Sequence, residues 1–342
     1  MSQLSLFEVP PAPARPDEPP GAAEPSADVR EFGARLPRSV RLGTSSWAFP
    51  GWAGIVYDRK RPEADLSRRG LSAYARHPVL RTVGLDRTFY APIAAEDFRA
   101  YAAQVPDAFR FLVKAPSVAT DAVLRDERGR ATAVNPGFLD ATWTLDRFVS
   151  PALDGLGEKA GPLVFQLSPL PRQLLARPEP LLERLRTFLG ALRAGAPRAL
   201  VAVEIRNAEL VGEPLARALA EVQAHYCIGI HARMPSVREQ ARRMAATLSG
   251  TLVARWNLHA GYAYEEAKAQ YAPFNRMVEP DVETRSALAE LAADAIAGGR
   301  DAFIIANNKA EGSAPLSMIA LAQAIVARME NDTGETTDGD GG

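Results

Sequence analysis

The chain holds a single cysteine, Cys227, and four histidines in 342 residues. One cysteine excludes an intrachain disulfide and fits a reducing cytoplasm, the expected location. Four histidines are few for a multinuclear metal site. No apolar run reaches the roughly 18 residues that a membrane-spanning helix needs, so no membrane association is expected. Met1 to Pro20 lacks a basic segment followed by an apolar one, so no secretory signal is expected. The formal net charge is −1, which argues against strong non-specific DNA binding by the bulk of the chain. What is present is hydrophobic content of 47%, enough for a sizeable core. The length suits one large barrel or two ordinary domains.

Residues 8–38 are rich in Pro, Ala, Glu and Arg, a composition that buries too little apolar surface to offset ordering entropy. Residues 1–38 therefore read as a disordered amino-terminal tail and 331–342 as a disordered acidic, Gly/Thr-rich carboxyl tail. Between them, short β-branched or aromatic runs begin near Val40, Arg81, Phe109, Pro162, Ala199, Tyr226, Thr251 and Ala302. Amphipathic helical stretches separate them, among them Glu179–Ala194, Ser236–Leu248 and Asp281–Gly298. Ser236 and Asp281 suit N-caps, and Gly298-Gly299 suits a stop. Eight strands alternating with helices predict an α/β fold, a single (β/α)8 TIM barrel over 39–330. No Gly-x-Gly-x-x-Gly follows the first strand to favour an open dinucleotide-binding sheet. Long loops at 46–66, 116–136 and 259–280 would lie over the barrel mouth.

Alternation along each strand predicts which side chains face the barrel axis. In the fifth strand, Val201, Val203 and Ile205 form the helix-facing set, leaving Glu204 and Arg206 inward. The same logic turns Asp86, Lys114, Gln166, His231, Arg255 and Asn257 inward, each near a strand's carboxyl end. Catalysis in this fold is built there. Lys114, Arg206 and Arg255 make an electropositive centre suited to phosphate or carboxylate. Glu204 and Asp86 suit a general acid or base, and Lys114 joins them as a catalytic candidate. A structural ion pair between Glu204 and Arg206 is the competing role. Substrate contacts are expected from Arg206, Arg255, Gln166, Asn257, Asn307 and Asn308, with Trp47 and Tyr90. The turn Asn307 to Ser313 opens into a helix whose free amides suit an anion, unless Ser313 simply caps that helix.

The cofactor is open. Glu204, His231 and His259 are ligand types for a divalent metal, but no HxH or HExxH spacing accompanies them. His77 and His225 fall outside the expected site. Cys227 faces inward but deep, as a core residue. Trp47, Phe49, Trp52 and Tyr57 in the first long loop suit either stacking on a substrate ring or pinning that loop to the barrel.

The run Gly43-Thr44-Ser45-Ser46-Trp47-Ala48-Phe49-Pro50-Gly51-Trp52 with Tyr57 resembles the opening motif of the YecE-like family (DUF72) of TIM-barrel proteins. Thr82 to Tyr90, Phe111 to Lys114, Ala202 to Asn207, Arg255 and Asn307-Asn308 resemble its later motifs, in order. The likeness runs over about residues 40–327 and implies a TIM barrel with its site at these positions, while implying no reaction. The chain departs from the pattern in the second strand, where Gly84 and Asp86 stand in place of Glu and Asn and Arg87 in place of a small residue.

Gln3-Leu4-Ser5-Leu6-Phe7 looks like the pentapeptide that tethers bacterial replication and repair proteins to the DNA sliding clamp. Gln3 can bond a pocket rim while Leu6 and Phe7 enter an apolar groove. An extended linker lets such a motif reach its partner without moving the barrel. The alternative is that Leu4, Leu6 and Phe7 cover the barrel's bottom. Together these features predict an enzyme of DNA repair or replication, hydrolase or phosphodiesterase in type, acting on a phosphate-bearing substrate. DNA is then a further expected partner, and Arg238, Arg242 and Arg243 offer a basic helix face. A small-molecule enzyme for a carboxylate or sugar phosphate is the first alternative, and a non-catalytic clamp-associated adaptor the second.

Overall fold

The computed structural model describes residues 18–126, 129–259, 262 and 264–337. Ten strands lie among the described residues: β1 Val40–Thr44, β2 Leu80–Leu85, β3 Arg110–Lys114, β4 Val123–Arg125, β5 Ala131–Val134, β6 Ala160–Leu167, β7 Val201–Ile205, β8 His225–Ile230, β9 Leu252–Trp256 and β10 Ala302–Ala306. Eight of them close a parallel barrel in the order β1-β10-β9-β8-β7-β6-β3-β2, with helices between successive strands. This is the (β/α)8 architecture read from the alternating pattern.

Period-two alternation puts two apolar layers on the two faces of this sheet. Val201, Val203 and Ile205 join the large core between strands and helices. Leu112, Val164, Ala202, Cys227, Val253 and Ile305 form a separate cluster inside the barrel. Burial pushes the Cys227 thiol well above its ordinary value, so it is inert core. The polar residues that follow on the same inward rows cap this inner layer at the strands' carboxyl ends. Ser236 and Asp281 each accept a hydrogen bond from the backbone amide three residues on, as N-caps. Gly299 at φ 65 turns the chain after the helix Val282–Ala297.

Both tail boundaries require correction. Residues 18–38, assigned to the amino-terminal tail, are folded: Ala22 bridges to Tyr57, and a helix spans Ala27–Arg35 behind a Ser26 cap. Val29 and Phe32 pack on the core, and Arg81 donates to the carbonyls of Gly33, Leu36 and Pro37. These contacts supply the ordering energy that the segment's composition lacks. At the other end the last helix runs Ala314–Thr337, through the first residues of the expected carboxyl tail. An ion pair from Arg35 to Glu330 joins the first helix to the last. The expected loop 116–136 contains an antiparallel β4–β5 hairpin, held partly by Arg125 donating to the Pro169 carbonyl. The clamp-like residues Gln3, Leu4, Ser5, Leu6 and Phe7 lie outside the described residues. No helix among the described residues is long and apolar enough to cross a membrane.

Candidate functional site

At the barrel's upper end a buried ion network joins four strands. Gln166 of β6 and Glu204 of β7 stand in register, and Arg255 of β9 pairs in register with Gly229 of β8. Glu204 is fully buried. One of its oxygens meets Arg206 at 2.7 Å and accepts from Asn257 at 3.3 Å, and the other meets Arg255 at 2.6 Å. Arg255 also donates to Gln166 at 3.0 Å and to both oxygens of Asp86 at 3.1 Å. Arg206 shares the same Gln166 oxygen at 3.0 Å. Gly229 admits the Glu204 carboxylate, because a Cβ there would lie 2.9 Å from its Oε1.

Burial alone would raise the Glu204 carboxyl, but Arg206 and Arg255 more than offset this and hold it below the ordinary carboxylate value. Burial likewise lowers the Arg255 guanidinium, and Asp86 with Glu204 reverses that shift upward. Glu204 is thus an ionised, saturated acceptor. Its geometry suits holding two arginines in place better than taking a substrate proton. Arg255, 2% exposed, is committed through both terminal nitrogens, while its Nε is buried with no hydrogen-bond partner among the described residues.

Lys114, at the end of β3, is different. It is 9% exposed, yet no carboxylate lies within ion-pair distance among the described residues. Its ammonium sits 3.6 Å from the centre of the Phe89 ring. Thr88 fixes the backbone beneath by donating to the Leu85 and Lys114 carbonyls. Burial lowers the ammonium from the ordinary lysine value to about 8, and Arg255 adds to the lowering.

A cleft of about 910 Å³ opens above Lys114. Asp86, Gln166, Arg206, Asn257 and Asn307 all reach it, as does His231. Tyr90 stands at its rim, 84% exposed. Asp86 keeps a third of its side chain accessible, unlike Glu204. The Arg206 Nε is buried with no hydrogen-bond partner. Counting Glu204 beneath the floor, four cations face three carboxylates. Three polar lining residues were not visible from the sequence: Arg233, Tyr262 and Glu209. Arg233 is exposed and has no carboxylate partner among the described residues. It lies in the turn that follows β8, where strand alternation no longer assigns a face, so no signal in the sequence pointed to it.

Other expected members are drawn elsewhere. Trp47 is buried, donates to the Leu66 carbonyl at 3.0 Å and packs edgewise on Tyr101. It borders a side pocket of about 140 Å³ next to Asp86 rather than the main cleft. The Tyr57 hydroxyl donates to the Trp47 carbonyl, so the aromatic group pins the first loop. Asn308 is a correction: it is 2% exposed, and its Oδ1 accepts from Trp52 at 3.1 Å and from the Ala314 amide at 2.9 Å. Asn308, not Ser313, therefore caps the last helix, and the turn expected to hold an anion is sealed. The Ser313 Oγ is buried without a partner. No three His, Cys, Asp or Glu side chains converge as a metal site among the described residues. Glu204 is occupied by arginines, so Glu204, His231 and His259 do not form a ligand set. His77 is buried away from the cleft, its Nδ1 accepting from the Val79 amide.

A family model described as protein of unknown function DUF72 matches residues 41–338. The chain belongs to this family. A DUF72 protein of Enterococcus faecalis is similar in structure at 16% identity and a TM-score of 0.56, over 84% of this chain and 95% of that one. Another, of Thermotoga maritima, shares 18% identity at a TM-score of 0.56, over 83% and 98% of the two chains. At such identities the likeness shows the fold alone. No curated protein matches the chain. In this DUF72 member, the second-strand departure has a visible consequence. Gly84 leaves no side chain beside Ser45 and Ile305, and Asp86 carries the carboxylate that meets Arg255.

Proposed function

We propose that this protein is an enzyme acting on a phosphate-bearing substrate in DNA repair or replication, tethered to the bacterial sliding clamp by Gln3 to Phe7. The observation that carries the catalytic half is Lys114, a buried cation facing the cleft with no carboxylate within ion-pair distance among the described residues. A buried charge held by an aromatic face and by carboxylates beyond ion-pair distance is costly, and an incoming anion lowers that cost. Arg206 and Arg233 complete the anion's surroundings, and Asp86 is the accessible carboxylate for proton transfer. The clamp half rests on the pentapeptide, and clamp recruitment would remove the need for a basic barrel surface. Because the charged floor is recessed, a nucleic acid would have to offer a terminal or everted nucleotide.

A second reading, a metabolic enzyme for a small sugar phosphate or carboxylate, is favoured by the cleft itself. About 910 Å³ is the size of a small-molecule site. Calorimetric titration with an alditol phosphate and the matching alditol tests the anion claim. The phosphorylated compound should bind, the neutral one should not, and Arg233→Ala should weaken binding by about tenfold. Equal binding of the two compounds would overturn it. Binding of the full-length protein to a sliding clamp, lost when Gln3, Leu6 and Phe7 become Ala, separates the two readings. Absence of clamp binding leaves the metabolic one.

A further inference from the structure

The mouth contains one cation whose chemistry differs from the others. Of 40 Lys and Arg residues in the chain, only five are lysine: Lys60, Lys114, Lys159, Lys268 and Lys309. Arginine is the better residue for gripping an oxyanion and keeps its charge at all working pH values. Lysine can give up its proton and present a lone pair. Lys60 and Lys268 are exposed. Lys159 donates to the carbonyls of Ala102 and Val105, and Lys309 lies within 3.3 Å of the Asn307 side chain. Lys114 is the lysine that combines burial with a cleft-facing position.

We infer that Lys114 is a nucleophilic amine, condensing with the aldehyde of a phosphorylated sugar to form an imine. The inference rests on the anion-binding reading of the same cleft and names the substrate class. The Phe89 face shields one side of the nitrogen, and the cleft opens on the other. Burial keeps the neutral amine within reach near neutral pH, as its lowered proton affinity indicates. Arg206 and Arg233 hold the phosphate beside the Lys114 nitrogen, which is a cation as the ammonium and again as the protonated imine. The neutral nitrogen attacks the carbonyl carbon, a C–N bond forms and the carbonyl π pair moves to oxygen. A proton passes from nitrogen to that oxygen, giving a carbinolamine. A second proton makes the hydroxyl leave as water, and the nitrogen lone pair closes the C=N bond. Overall, an ammonium and an aldehyde become a protonated imine and one water. Asp86, accessible on the same cleft, is the carboxylate that relays these protons.

The test is reductive trapping. Full-length protein is incubated with 2-deoxyribose 5-phosphate and cyanoborohydride, and the adduct is mapped by peptide mass. We expect one adduct per chain, at Lys114, forming roughly tenfold faster than on the exposed lysines at pH 7, with a rate that is half-maximal near pH 8. Lys114→Arg, which keeps the charge, should retain the fold by circular dichroism and lose that adduct. Adducts spread over Lys60 and Lys268 at equal rates in both proteins would overturn the inference. Binding of the alditol phosphate without any Lys114 adduct would overturn it while leaving the proposed function standing. Failure to bind the alditol phosphate would overturn both. An oligonucleotide with an abasic sugar serves as the second substrate arm. Trapping there above the free sugar phosphate assigns the aldehyde to DNA, and the reverse assigns it to a metabolite.

Discussion

Two clusters of buried polar side chains lie on the same end of the barrel, and only one of them faces a ligand-sized space. In the turn after β10, Asn307 alone reaches the cleft among the described residues, and Asn308 and Glu311 are directed into the protein. Asn308 takes the Trp52 indole and the Ala314 amide, while fully buried Glu311 takes the Asp281 amide at 2.7 Å and the Arg285 guanidinium. Around β2, β3 and β8, Lys114 and Arg233 face the cleft with no carboxylate of their own. Both clusters look alike in sequence, as polar residues at strand ends. The lesson is that position at the carboxyl end of a strand does not by itself identify a site. A charged group that faces an open cleft with no carboxylate beside it does.

The comparison can be broken most forcefully at Glu204. Glu204→Ala would leave Arg206 and Arg255 buried without their shared anion and should cost about 3–5 kcal/mol of stability in urea unfolding. A loss under about 1 kcal/mol would mean that the network does not hold the floor together. Lys114 should behave in the opposite sense. Its folded proton affinity, about 8, lies below the ordinary lysine value, so the unfolded chain binds more protons between about 8 and 10.5. The charged amine thus penalises folding below pH 8, and the penalty fades as pH rises to 10.5. Lys114→Met should therefore stabilise the protein by about 1–3 kcal/mol at pH 7 and show little advantage above pH 10.5. A variant less stable than the parent at pH 7 would mean that the buried ammonium is well solvated or paired. The smallest effect belongs to the sealed turn. Asn308→Ala should lose about 1–2 kcal/mol through the cap and the indole bond, with alditol phosphate affinity unchanged. A fall in affinity would return the turn to the site.

Much of this was legible in the sequence because period-two alternation assigns faces without knowledge of partners. Glu204, Arg206, Arg255, Gln166, Asp86 and Lys114 are placed inward by alternation alone, and the barrel gathers them at its mouth. Pairing was not legible. Nothing in the spacing told that Arg255 would take three partners and Lys114 no carboxylate, since that depends on strand register around the ring. The helix Ala27–Arg35 was hidden for a similar reason. Its proline-rich surroundings read as tail, and the contacts that order it come from Arg81 and Glu330, distant in sequence. The hairpin of β4 and β5 is exposed and carries too little apolar alternation to announce itself.

The protonation state of the Lys114 nitrogen is read directly by lysine NMR. With five lysines, isotope labelling of the side chains gives few enough signals to follow each through a pH titration, Lys114→Arg providing the assignment. One signal should titrate near 8 and move upward when the alditol phosphate is added. Five signals all titrating near the ordinary value, unmoved by the anion, would contradict the claim that Lys114 is the unpaired cation of a phosphate site.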